Sequence, residues 1–214
     1  FFGYEVEGVW QANDDFSLTN DAVSPGDYKY KDQNGDKIVN SEDKVILGSS
    51  IPKVIWNLNN NFSSGKFELD ILLEGVNGSK MYNANLAESI YPNNFRQSRL
   101  AAPVLNRWTP SNPTNEYHSF VNSAGQGSKQ LNSQTIEDAS YIKLSNVRLT
   151  YNFEIENSLI SSASAFISGS NLWINSKYSG LDPSINPNGP AALKIDFVAS
   201  PSFSLLTLGV NINF

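Results

Sequence analysis

Residues 32–43, Asp-Gln-Asn-Gly-Asp-Lys-Ile-Val-Asn-Ser-Glu-Asp, hold the most specific chemical pattern in the chain. Oxygen donors fall at the first, third, fifth, ninth and twelfth places: Asp32, Asn34, Asp36, Asn40 and Asp43. The backbone carbonyl of Ile38 takes the seventh. Calcium needs about 6–8 oxygens at about 2.3–2.6 Å, and this spacing lets one short segment wrap them around the ion. Two departures oppose it. Lys37 stands where a glycine is usual, and Asp43 reaches less far than a glutamate. The other reading is an Asx-rich turn, with the same side chains bonded to local backbone. Both remain open, with Ca2+ the cofactor that the first would need.

Other groups point less strongly to chemistry. His118 is the only histidine, and no Gly-x-Ser-x-Gly turn surrounds a serine to complete a triad. As a lone loop histidine it is expected to be solvated. Glu68, Asp70 and Glu74 could be paired for glycoside hydrolysis, but their alternation suits one face of a strand. No phosphate-binding glycine loop is present. No catalytic residue is assigned, and an enzyme is not expected. Tyr82, Tyr91, Trp108 and Tyr117 fall in a long polar stretch. They could meet a ligand or partner, although packing a small core of the loop's own is the better expectation.

Composition narrows what must position these residues. Only 17% of residues are charged against 40% hydrophobic, too apolar for a disordered chain. A net charge of −6 argues against a nucleic-acid partner, which needs a basic face. There is no cysteine, so no disulfide framework. The longest aliphatic run, Ile71-Leu72-Leu73, falls far short of the roughly 20 residues of a membrane helix. The chain is thus soluble or a barrel, since only helices and closed barrels cross a bilayer.

The apolar residues recur every second position. Phe67, Leu69, Ile71 and Leu73 oppose Lys66, Glu68, Asp70 and Glu74. Val54, Trp56, Leu58 and Phe62 oppose Ile55, Asn57, Asn59 and Asn61. Leu206, Leu208, Val210, Ile212 and Phe214 oppose Thr207, Gly209, Asn211 and Asn213. Further strands are expected near Tyr141–Phe153, with a bulge near Ser145, and near Ala165–Asn175. Phe2–Trp10 is expected to end a sixth, which makes the start look like mid-strand. A short helix is expected within Leu86–Leu105, broken by Pro92 and Pro103. Ser63-Ser64-Gly65 is a tight turn and Glu154–Ser162 a moderate one. The long connections, about 11–52, 77–134 and 176–201, then all fall at the opposite end.

Aromatics mark both ends: Phe62, Phe153 and Phe214 at one, and Trp10, Trp56, Tyr141 and Trp173 at the other. Phe203–Phe214 would extend roughly 36 Å at about 3.3 Å per residue. Tilted, that matches the roughly 25 Å apolar band of a membrane barrel. Two ring levels bracketing an apolar band suit a bilayer. The expected fold is an all-β, antiparallel transmembrane β-barrel with long extracellular loops. Its lumen face would be Asn57, Asn59, Lys66, Glu68, Asp70, Glu74 and Asn211. The alternative is a secreted, calcium-stabilised β-sandwich that binds carbohydrate. A glycan hydrolase comes third.

Landmark segments run along nearly the whole chain. In order they are 3–11 (Gly-Tyr-Glu-Val-Glu-Gly-Val-Trp-Gln), 25–32 (Pro-Gly-Asp-Tyr-Lys-Tyr-Lys-Asp), 34–36 (Asn-Gly-Asp) and 47–53 (Leu-Gly-Ser-Ser-Ile-Pro-Lys). They continue with 73–78 (Leu-Glu-Gly-Val-Asn-Gly), 106–110 (Asn-Arg-Trp-Thr-Pro), 136–144 (Ile-Glu-Asp-Ala-Ser-Tyr-Ile-Lys-Leu), 168–173 (Ser-Gly-Ser-Asn-Leu-Trp) and 177–183 (Lys-Tyr-Ser-Gly-Leu-Asp-Pro). With these the chain resembles the C-terminal region of SusC/RagA-type TonB-dependent outer-membrane transporters. The terminal Phe214 resembles the C-terminal signal for barrel insertion. The resemblance implies the last strands of a 22-stranded plugged barrel in the bacterial outer membrane. It implies import of glycans or oligopeptides, a SusD-like lipoprotein as lid, and TonB acting on a plug that would precede Phe1. Membrane lipid would meet the apolar face.

Overall fold

The computed structural model describes residues 1–91, 100–120, 129, 131–155, 159–186 and 194–214. In chain order its strands begin with β1 (Phe2–Tyr4), β2 (Val6–Val9), β3 (Tyr28–Tyr30), β4 (Lys44–Ile46), β5 (Val54–Ser64), β6 (Phe67–Asn77) and β7 (Lys80–Asn83). Helices α1 (Ala84–Ile90) and α2 (Ala101–Asn106) follow, then β8 (Ile136–Asp138), β9 (Tyr141–Phe153), β10 (Ser162–Ser176), β11 (Ile195–Asp196) and β12 (Leu205–Asn213). The described residues are mainly β, and no helix is long and apolar enough to cross a membrane. The chain divides into two compact units.

One unit comprises Pro52–Ser79, Asp138–Ile185 and Ser200–Phe214. It is a five-stranded sheet in the order β12-β10-β9-β6-β5, every pair antiparallel. Period-two alternation forms the sheet, and the register stacks like with like. Phe67 faces Tyr151, which faces Ala165, which faces Val210. Leu69, Leu149, Ile167 and Leu208 make the next row, and Ile71, Val147, Gly169 and Leu206 the one after. Between Leu72 and Leu73 the β6–β9 register slips by one at Ser145, where the alternation breaks phase. The inserted residue keeps the apolar rows on one face across the break. Gly65, with φ of 58°, closes the β5–β6 turn, a conformation that suits a residue without Cβ. The β5–β6 and β9–β10 connections leave the same end of the sheet, since Ser64 pairs with Phe67 and Ala163 with Phe153.

The other unit comprises Phe1–Ile51, Lys80–Glu137 and Asn186–Ala199. Short ladders β1–β4 and β2–β3 and the small sheet β11-β7-β8 surround a core of Tyr4, Val9, Tyr28, Tyr30, Leu86, Ile90, Tyr91 and Trp108. Phe2–Trp10 therefore does not end a sixth strand of the main sheet. It splits after Tyr4 into β1 and β2, which take separate partners. Backbone bonds Tyr4 N–Leu131 O (3.0 Å) and Ser133 N–Tyr4 O (2.9 Å) hold the split. The expected helix is present and starts at Ala84, capped by the Asn83 side chain. Pro103 does not break a helix. It sits in the first turn of α2, where a missing N–H costs no bond. Pro92 lies outside the described residues.

Candidate functional site

The sheet presents two chemically distinct walls. On one, Leu206, Leu208, Val210 and Ile212 stand 68%, 75%, 65% and 49% exposed. Phe62, Phe67, Leu149 and Ile167 share this wall and are also exposed. Among the described residues this unit contains no second sheet to cover these rows. Phe62, Phe153 and Phe214 lie toward the turn end, and Trp56, Tyr141 and Trp173 toward the other, as the pairings Phe153–Ala163 and Tyr141–Ser176 require. Trp10 lies outside this sheet. It belongs to the other unit, 5% exposed, stacked on Phe16 at 5.4 Å beneath the Lys29 ammonium.

The opposite wall is polar and cross-linked. Asn61 donates to Asp70 (2.6 Å), Asn152 to Glu68 (2.8 Å), Asn146 to Ser170 (3.1 Å), and the Ser145 hydroxyl to Glu74. Arg148 donates to Thr150 and lies 3.9 Å from the Phe166 ring centroid. Asn57 pairs across from Glu74, Asn59 from Leu72, and Asn211 from Ser164, so all three share this wall. Lys66 lies in the turn and pairs with Glu154 at 3.0 Å. A wall of bonded amides and carboxylates is stable against water or a hydrated protein surface and costly against hydrocarbon. The opposite wall has the reverse preference.

In the other unit, the oxygen-rich loop folds on itself. Asp32 accepts from Gly35 N and Lys37 N, both at 2.7 Å, and the Lys37 bond is the largest of the backbone hydrogen bonds that hold this carboxyl below its usual range against desolvation. Asn34 accepts from Asp36 N, Asp36 from Ile38 N and Asn40 from Glu42 N. Buried Asp43 accepts from Gln33 N and Asn40 N, both at 2.8 Å. Lys37, at the place usual for glycine, has φ of 68°, and Gly35 has φ of 81°. The loop would mix three carboxylates with two amides and a carbonyl. Among the described residues no three acidic, histidine or cysteine side chains converge on one point.

The loop aromatics are used for packing. Tyr91 and Trp108 are 1% and 7% exposed, so the rings suggested for ligand contact are core residues. Trp108 Nε1 donates to Gln11 at 2.9 Å. Tyr117 packs on the core edge, and Tyr82 sits half-buried on β7. Desolvation raises the Tyr82 hydroxyl above its ordinary value, with Glu88 adding to it. Tyr30 and Tyr91 hydroxyls lie 3.0 Å apart, and Asn132 Nδ2 donates to Tyr91 at 2.5 Å. His118 is not solvated. It is 1% exposed, and burial pulls it down to about 4. Nothing in its local sequence distinguishes it from a surface histidine; its burial depends on partners at Tyr28 and Tyr91, distant in the chain. A cleft of about 260 Å3 opens beside this core, lined by Trp10, Asp21, Lys29, Tyr30, Lys37 and Lys129 among others.

The sheet thus carries one apolar and one polar wall. No family model matches the chain. It is 30% identical over 224 residues to TonB-dependent receptor P26 of Formosa agariphila, covering 100% of this chain and 22% of that protein. It is 24% identical over 227 residues to TonB-dependent receptor P3 of the same organism, again covering 100% of this chain and 22% of the relative. The chain thus spans about a fifth of the length of the curated relatives it matches. Among solved structures it resembles the RagAB peptide importer in its open-open state, with TM-score 0.76 and 20% identity, covering 100% of this chain and 22% of that one. The closed-closed state gives TM-score 0.72 and 18% identity, covering 100% of this chain and 23% of that one. These likenesses show the fold. The resemblance to SusC/RagA-type TonB-dependent transporters is borne out over the whole chain. The relatives bear the names of receptors and importers, not of enzymes.

Proposed function

We propose that these strands complete the C-terminal side of a closed, 22-stranded plugged barrel in the bacterial outer membrane. The whole protein would be a TonB-dependent transporter of oligopeptides or glycans. The observation behind this reading is the exposed row Leu206, Leu208, Val210 and Ile212, backed by a hydrogen-bonded polar wall. Likeness to TonB-dependent receptors and to a peptide importer supports it. In a sandwich the same row would be buried against a second sheet.

On this reading the chain's own part is passive. Its apolar wall faces lipid, and its polar wall faces a wet lumen or a plug. A SusD-like lipoprotein would cover the loops, and TonB would pull on a plug formed by other residues. Uptake in a strain lacking the gene tests it. Restoring the full-length gene should restore TonB-dependent entry of labelled peptide or glycan, and Leu208→Arg should abolish it by blocking insertion. Uptake unaffected by loss of the gene or of TonB would reject the transporter.

For residues 32–43 we propose a calcium-braced turn. The donor spacing and the left-handed Lys37, in the place that usually needs glycine, support it. The ion would supply charge neutralisation to Asp32, Asp36 and Asp43 and stiffen the loop.

A further inference from the structure

His118 is a buried titratable group that the transport reading leaves unused. Its ring lies 4.6 Å from Tyr28 and 5.0 Å from Tyr91, centroid to centroid, with Phe120 at 6.5 Å. Among the described residues neither ring nitrogen makes a hydrogen bond of full geometry, and neither does the Tyr28 hydroxyl; only weak backbone contacts reach them. Among the described residues the titratable groups against it are the two tyrosines, both driven upward by desolvation first and therefore uncharged. Glu116 and Asp27 act on the tyrosines, Glu116 on Tyr28 and Asp27 on Tyr30, rather than on the imidazole. The Arg107 guanidinium lies over the far ring of Phe120, at 5.3 Å. Among the described residues no counter-charge is therefore placed to stabilise a protonated His118, and burying an unpaired charge is strongly unfavourable.

We propose that His118 is an acid-released latch. The neutral imidazole packs the rings of Tyr28, Tyr91 and Phe120 at the edge of the core that also holds Ile90 and Trp108, and protonation opens it. The backbone at Ile90 and Ser119 lies close enough to favour the charged form weakly, which softens the burial effect without reversing it.

The sign follows from the two states. An unfolded imidazole titrates at 6.5, and the buried one at about 4. The latch is therefore fully engaged above pH 6.5. It is lost progressively as pH falls through 4, below which both states carry the proton. At pH 5 the open form should be enriched roughly 20-fold over its population at pH 7.

The test uses the full-length receptor in detergent. Amide exchange, corrected for intrinsic chemistry, should accelerate at pH 5 in peptides containing Ile90, Trp108 and Ser119. His118→Phe should remove that acceleration. Equal pH dependence in wild type and His118→Phe would overturn the latch. If the variant does not fold, C2-proton exchange of His118 in the wild type decides. A midpoint well below 6.5 supports the proposal, and one at the ordinary imidazole value overturns it.

Discussion

The indole of Trp56 lies over Gly75, its cross-strand partner, so closely that a Cβ there would meet the ring at 2.0 Å. Trp56 Nε1 also donates to Asn77 Oδ1 at 3.1 Å, which ties the ring to the strand it covers. One large and one absent side chain thus fill a single site on the wall.

Gly75→Val should push the indole off the strand and break its bond to Asn77. Overpacking of this kind costs about 1–3 kcal/mol. Urea unfolding of the full-length receptor in micelles should show a lower midpoint. Trp56→Ala combined with Gly75→Val should recover part of the loss, because the clash goes with the ring.

The Tyr30–Tyr91–Asn132 chain ties β3 to the end of α1 and to the segment before β8. Tyr91→Phe keeps the ring but leaves the buried Asn132 amide short of an acceptor. A loss of about 1–3 kcal/mol is expected. It should register as faster amide exchange in the loop unit, with the main sheet unchanged.

Chelation addresses residues 32–43. EGTA should speed proteolysis within this loop, and added calcium should reverse the effect. Asp36→Asn should mimic chelation. Unchanged cleavage would leave the bonded Asx turn as the sufficient account of the geometry.

The sheet was readable from sequence because its alternation is local. Phe67 to Leu73 and Leu206 to Ile212 declare their faces through neighbours two residues away, and even the slip at Ser145 shows as a broken phase. The loop unit was not. Val6 to Val9 alternates too weakly to reveal that it pairs with Tyr28–Tyr30 rather than extending the main sheet. Trp10 and His118 are buried by partners contributed from other parts of the chain, which no local period records. The Asp32–Asp43 spacing was plain, yet spacing alone does not separate oxygens turned toward an ion from oxygens turned toward backbone N–H groups.

The most direct measurement is a nitroxide scan of residues 205–212 in the full-length receptor reconstituted in bilayers. Accessibility to dissolved oxygen should peak at Leu206, Leu208, Val210 and Ile212, and accessibility to a water-soluble nickel chelate should peak, if anywhere, at Thr207, Gly209 and Asn211. Oxygen contact without period two, or chelate contact equal at both sets, would contradict a lipid-facing wall.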